Sequence, residues 1–393
     1  MNVSAAPVAA RASVHFDALP PLSLYIHVPW CVRKCPYCDF NSHEVRGALP
    51  AGDYVAALLR DREMALPQVW GRPVLSVFIG GGTPSLLPVR ALDVLLSGVR
   101  ALLPLAADAE VTLEANPGTV EAEKFAGFRA AGVNRLSLGI QSFNDRHLRA
   151  LGRIHDAAEA RRAAELALAT FDNVNLDLMY GLPGQTPAEA EADVTAALAY
   201  APQHLSAYHL TLEPNTYFHR YPPQLPDDDA AAVMQEAVEA QLGAAAYEHY
   251  ETSAFARAGR RSRHNLNYWM FGDYAAIGAG AHSKISFKNN ILRESRPRQP
   301  KAYLAQAGLA GSAAQTAVSV ADLPGEFMMN ALRLNGGFEL ALYTARTGLP
   351  LTTLLEALDR AETRGLITRD HQRVEPTPQG RRFLNDLLQL FLA

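Results

Sequence analysis

The stretch YIHVPWCVRKCPYC, residues 25–38, joins an apolar β-type run to a loop that holds every cysteine of a 393-residue chain. Cys31, Cys35 and Cys38 stand at C-x3-C-x2-C spacing. Thiols so close together cannot cross-link distant parts of a fold, so they point to a reducing compartment and to metal. Soft thiolates suit iron-sulfur clusters, and three of them can hold three irons of a 4Fe-4S cube. The fourth iron then has no cysteine and stays open to an exchangeable ligand. A zinc tetrahedron is the alternative; it needs a fourth ligand, His27 or His43, and no second cysteine pair follows. Cys35 and Cys38 alone have the C-P-Y-C spacing of a redox pair, but a third cysteine stands beside them. Arg33 and Lys34 inside the loop are expected to lower the thiol pKa values.

Working outward from this loop, β-type runs alternate with alanine-rich helical ones. SLYIHVP, VLSVFIGGG, EVTLEANP, NRLSLGI, NVNLDLMYG and HLSAYHLTLEP are six strands, each apolar enough for burial on both faces. Helical segments with apolar residues three and four apart separate them, which predicts a parallel α/β sheet in a partial TIM-like (βα)6 barrel. In such barrels the loops after the strands converge on one mouth. The cysteine loop, GGGTPS (80–85), EANP, QSFN and DLMYGLPGQT therefore meet there. The barrel is expected over residues 21–225, followed by an extension over 226–320 that carries HNLNYW. Residues 321–393 read as a smaller, mainly α, winged-helix-like domain. The opening residues 1–20 read as a disordered tail, with a weak transit peptide as the competing reading.

Composition sets further bounds. Hydrophobic residues make up 49% and charged residues 19%, as in a globular protein, and the formal net charge is −4. That charge gives no broad attraction to nucleic acid, and the modest basic patches of the C-terminal segment suit packing or docking. No apolar run approaches the roughly 20 residues that cross a bilayer. The expectation is a soluble, cytoplasmic protein whose partners are small molecules.

The C-x3-C-x2-C loop, with Tyr37 before its third cysteine, resembles the signature of the radical S-adenosylmethionine superfamily, whose partial barrel agrees with the strands above. The resemblance implies a 4Fe-4S cluster whose unique iron binds S-adenosylmethionine, from which an electron can release a 5'-deoxyadenosyl radical. Glycines at a strand end allow close backbone approach to a ligand. By resemblance to the oxygen-independent coproporphyrinogen oxidase branch, Gly81, Gly82, Thr83, Glu114, Gln141, Arg153 and Asp177, with Tyr25 and Tyr37, line the S-adenosylmethionine site. Oxidases of that branch carry a further cysteine two positions after the third, where this chain has Phe40. HNLNYW instead is similar to the distinguishing motif of the HemW-type haem chaperones. That resemblance implies haem binding near His264, Tyr268 and Trp269, with His264 and Tyr268 sharing a helix face and His282 a second candidate ligand. It also implies delivery to haem-acceptor proteins such as respiratory enzymes. A homodimer, peripheral membrane contact during delivery and radical decarboxylation of coproporphyrinogen III stay open.

Overall fold

The computed structural model describes residues 13–119 and 121–392. The six strands form and lie side by side in chain order: β1 (Leu22–Val28), β2 (Val74–Gly81), β3 (Leu105–Ala115), β4 (Arg135–Gln141), β5 (Val174–Tyr180) and β6 (His204–His209). Each neighbouring pair is parallel. Helices α1 (Ala51–Met64), α2 (Val89–Leu102), α3 (Ala122–Ala131), α4 (Ala157–Thr170) and α5 (Pro187–Leu198) provide the crossovers. Local chemistry starts two of them. Asp156 with Glu159 and Thr186 with Glu189 form capping boxes at α4 and α5, each satisfying orphan backbone donors reciprocally.

After β6 the chain adds helix α6 (Asp228–Ala244) and the antiparallel strands β7 (Glu248–Glu251) and β8 (Ala254–Ala256), with β8 against β6. Helix α7 (Arg263–Trp269) follows, and β9 (Asp273–Ile277) then pairs parallel with the other edge of β1. β10 (His282–Phe287), β11 (Asn290–Ser295) and β12 (Ala314–Ala317) continue antiparallel beyond it. The result is one twelve-stranded sheet whose middle is the six parallel strands.

The two faces of that middle differ in a way the apolar runs did not predict. Leu24, Ile26, Val77, Ile79, Leu113, Leu136, Leu138, Leu176 and Leu205 are buried in the large core that contains Leu92, Phe125, Phe128 and Val194 of the helices. Burial of each such side chain stabilises by about 1.5–3 kcal/mol. The alternate residues are polar yet also buried: Ser76, Glu110, Thr112, Arg135, Ser137, Asn175, His204 and Ser206. Period-two alternation therefore gives the barrel an apolar outside and a polar inside.

Helices α8 (Leu323–Ala331), α9 (Leu340–Thr347) and α10 (Leu355–Thr363) pack with a three-stranded sheet of β13 (Phe338–Glu339), β14 (Ile367–Arg369) and β15 (Arg373–Pro376), a winged-helix-like arrangement. Phe327 is its centre, with ring centroids 5.0 Å from Phe338, 5.2 Å from Tyr343 and 5.8 Å from Phe271 of the extension. The expected tail needs correction here. Residues 1–12 lie outside the described residues, but Val14 and Phe16 are buried in the C-terminal core, and the His15 amide donates to Gly348 O at 3.0 Å. Their apolar side chains gain more from that core than an ordered strap costs. Phe16→Ala should destabilise the protein by about 3 kcal/mol, read as a lower urea midpoint; an unchanged midpoint would mean the strap contributes nothing.

Candidate functional site

The cysteine loop leaves β1 and is closed by a parallel bridge in which Trp30 and Cys31 pair with His43 and Glu44. The Val45 amide donates to Cys31 O at 2.9 Å, and the Cys38 amide to Cys35 O at 3.2 Å. All three thiols are free, half-buried, and line one cavity of about 380 Å³ at the C-terminal ends of the strands. Burial pushes the Cys31 and Cys38 thiols up, so the lowering expected from Arg33 and Lys34 is not what dominates. Both cations are exposed, and Lys34 Nζ bonds outward to Phe40 O and Ser42 O. Among the described residues no three His, Cys, Asp or Glu side chains stand close enough to share a single metal ion. A cube puts its three thiolates on separate irons and does not require them to meet at a point.

Around the thiols the structure gathers Tyr37, Gly81, Gly82, Thr83, Glu114, Gln141, Arg153 and Asp177 into the same cavity wall. Arg153 ties the loop to the rim: its guanidinium lies 3.7 Å from Cys35 Sγ and donates to Asn116 Oδ1 at 2.6 Å and Gly139 O at 2.9 Å. Asn116 in turn donates to Thr83 Oγ1 at 2.9 Å. Gly81 and Gly82 are also required for packing, a reason the sequence did not suggest. A Cβ on Gly81, whose φ is +116°, would sit 2.6 Å from the His27 ring, and one on Gly82 would sit 2.5 Å from Trp30 O. These glycines let β2 close against the cysteine loop, which leaves their backbone facing the cavity. Gln141 takes φ +68° at the end of β4, a left-handed conformation uncommon outside glycine.

Two carboxyls share the cavity. Burial first, and then the nearby Asp177, raise the Glu114 pKa to about 8, opposed by the Gly81 amide that donates to Oε2 at 3.0 Å. Burial also raises the pKa of Asp177, opposed by hydrogen bonds from Asn175 and Ser137 at 2.7 and 3.0 Å. At neutral pH the pair thus holds a proton on Glu114 beside Asp177, which takes hydrogen bonds from Asn175 and Ser137.

Tyr25 is half-buried on β1, with its hydroxyl 3.0 Å from His27 Nδ1 and its ring against Phe78 of the cavity wall and against His264. The HNLNYW residues lie on α7, which closes the opposite, N-terminal end of β1–β3. Glu110 accepts from the Arg263 and His264 amides at 3.1 and 3.2 Å, Ser76 Oγ bonds His264 Nδ1 at 3.1 Å, and Asn267 Nδ2 donates to Ser23 Oγ at 2.9 Å. His264 is buried with its ring 5.0 Å from Phe78, and burial lowers its pKa to about 3. Tyr268 instead is 37% exposed, with its ring on Trp269 and Tyr274. His264 and Tyr268 stand four apart on α7 as expected, but their surroundings differ: the first turn presses His264 against the polar barrel, whereas Tyr268 is partly open to solvent. Trp269 carries Arg333 over its ring at 4.5 Å, and its buried Nε1 has no partner among the described residues. His282 is exposed at the start of β10, outside the cavity wall.

Ser137, Asn175, Ser206 and Tyr208, with Asn265 of HNLNYW, also line the cavity and were not foreseen as site residues. The signal for the first four was available in NRLSLGI, NVNLDLMYG and HLSAYH, where polar residues recur at every second position.

A parallel barrel with a three-cysteine loop and a polar cavity at its mouth defines a radical S-adenosylmethionine protein, and the chain matches the Radical SAM superfamily over residues 25–197 and the HemN C-terminal domain over residues 318–383. It is 51% identical to the haem chaperone HemW of Escherichia coli over 377 residues, 95% of this chain and 99% of that one. Identity to the haem chaperone HemW of Haemophilus influenzae is 47% over 381 residues, with 95% and 99% covered. The chain belongs to the HemW family. Its fold is also similar to that of the solved coproporphyrinogen III oxidase HemN of Escherichia coli, with a TM-score of 0.80 over 98% of this chain and 96% of that chain, at 24% identity.

Proposed function

We propose that this protein is a haem chaperone that holds a 4Fe-4S cluster on Cys31, Cys35 and Cys38, binds S-adenosylmethionine beside it, and passes haem to acceptor proteins such as respiratory enzymes. The observation that carries this reading is the 51% identity to a haem chaperone across 95% of the chain. Phe40, 57% exposed at the cavity rim where the related oxidases have a cysteine, supports it. The thiol loop fits the cluster, whose chemistry is electron transfer to a ligand at its open iron. The chain's own residues supply the rest. Tyr37, the Gly81–Thr83 backbone and Arg153 fit the methionine end of the cofactor, and Glu114, Gln141 and Asp177 fit its polar groups. Reduced thiols suit the cytoplasm, and no described helix is long and apolar enough to cross a membrane.

Haem engages the α7 end of the barrel. Tyr268 and Trp269 offer the accessible aromatic surface, whereas His264 reaches iron only if α7 moves off the sheet. Haem titrations should lose about tenfold in affinity for Tyr268→Ala and for His264→Ala, with iron content preserved. Unchanged titrations for both variants would remove α7 from the haem site. The test of function is anaerobic incubation of the cluster-loaded protein with S-adenosylmethionine, reductant and coproporphyrinogen III. A Soret band on adding haem, with no decarboxylated product, is expected; protoporphyrinogen formation would make the protein an oxidase.

A further inference from the structure

Helix α7 floors the barrel at the end opposite the thiol loop, where its Asn265 reaches the cavity lining, and a continuous chain of buried hydrogen bonds also joins the N-terminus of α7 to Asp177. The Ser262 amide, at the N-cap of α7, donates to the Tyr250 hydroxyl at 3.3 Å. Tyr250 meets His204 Nε2 at 2.8 Å, and His204 Nδ1 meets Asn175 Oδ1 at 2.6 Å. Asn175 Nδ2 then donates to Asp177 Oδ1 at 2.7 Å, inside the cavity. Ser262, His204, Asn175 and Tyr250 are all buried, with 4% exposure or less.

The direction of the chain follows from its end. Asp177 and Ser137 Oγ both take hydrogen bonds from the Asn175 amide nitrogen, so Asn175 Oδ1 is an acceptor and His204 Nδ1 must carry the proton. His204 Nε2 therefore accepts from Tyr250, which accepts from Ser262. Every donor points toward one carboxylate, the arrangement in which successive bonds polarise and strengthen one another. Burial holds the His204 pKa well below its ordinary value, which keeps the ring in the neutral form this chain requires. Arg135 bears on both ends: its Nε lies 4.0 Å from Glu110, which caps the α7 amides, and its charge opposes the rise in the Asp177 pKa.

We propose that ligand binding at Asp177 is coupled through Asn175, His204 and Tyr250 to the hold on the N-terminus of α7, so that cofactor occupancy at the mouth controls haem access at the opposite end. The coupling rests on the reading above, in which S-adenosylmethionine reaches Asp177 and haem engages α7. Hydroxyl donors brought to Asp177 compete with Asn175 for the carboxylate's charge, weaken the polarised chain, and loosen Ser262 and the first turn of α7. Tyr250 and His204 are positioning residues, since neither lines the cavity.

The test is amide hydrogen exchange across residues 262–269 of the full-length, cluster-loaded protein with and without S-adenosylhomocysteine, whose binding is measured by calorimetry on the same samples. Exchange in this segment should speed up about fivefold or more on binding, the low end of typical coupling between sites. Tyr250→Phe and His204→Leu should abolish that response while ligand affinity and iron content stay unchanged; His204→Gln, which can still donate to Asn175 and meet Tyr250, should restore it. Binding without a change in exchange, or an unchanged response in Tyr250→Phe, would overturn the coupling alone. Absence of binding would overturn the cofactor reading and the coupling with it. An exchange response with no change in haem affinity would leave the barrel coupling standing and overturn haem engagement at α7.

Discussion

Cys35→Ala is expected to lose more than about tenfold of its bound iron and acid-labile sulfide, while far-UV circular dichroism and thermal unfolding of the metal-free protein stay unchanged. In the proposed cluster, loss of one thiolate leaves one iron of the cube without a protein ligand. Cys31 and Cys38 serve their own irons in that proposed cluster, and the polar contact of Cys35 Sγ is the Arg153 guanidinium at 3.7 Å, a donor. The fold is insulated from the change because Cys35 is half-buried on a loop and absent from the apolar cores. The forfeited contact is worth no more than about 1 kcal/mol. Cys31→Ala and Cys38→Ala should behave alike, since the three ligands act as one set. Zinc in anaerobically prepared wild-type protein, or iron retained by Cys35→Ala, would sink the ligand assignment.

The fold was legible because the barrel's signals are local. Apolar β-branched runs, alanine-rich amphipathic segments and capping boxes such as Asp156 with Glu159 each specify an element without reference to the rest of the chain. The thiol loop was legible because C-x3-C-x2-C is a spacing that few other chemistries need. What stayed hidden depends on contacts distant in sequence. Gly81 and Gly82 look like ligand-facing glycines alone, and only the structure adds the close packing of His27 and Trp30 against them. His264 and Tyr268 look equally accessible until Glu110, 154 residues before His264, anchors the first turn of α7 to the barrel floor and His264 is buried there. Phe16 looks like tail until a core some 300 residues away takes it in. The polar barrel interior is the intermediate case. Its period-two pattern is written in NRLSLGI and HLSAYH, but the apolar neighbours mask it when hydrophobicity is averaged over the run.

Glu114→Gln should flatten the pH dependence of both stability and cofactor affinity. The Glu114 carboxyl has its pKa raised from the ordinary 4.5 to about 8 in the folded protein, by burial first and by Asp177 second. Between pH 4.5 and 8 the folded state therefore keeps a proton that the unfolded chain has lost. Stability falls as pH rises through that window, by up to about 1.4 kcal/mol per pH unit from this group, and the penalty is complete above it. Asp177 and Glu251, also raised by burial, add the same sign, whereas buried His264 and His204 act oppositely and in a lower range. Only the difference between wild type and variant isolates Glu114. Glutamine keeps an oxygen for the Gly81 amide and removes the ionisation, so the variant should be the more stable protein at pH 8 and close to wild type at pH 5, as read from urea midpoints. S-adenosylmethionine carries positive charge, which favours the ionised carboxylate, so its binding should release a proton and tighten with rising pH by up to about tenfold per unit until Glu114 is fully ionised. In Glu114→Gln that slope should vanish, and a wild-type affinity that is flat from pH 6 to 8 would show that the cation does not sit beside Glu114.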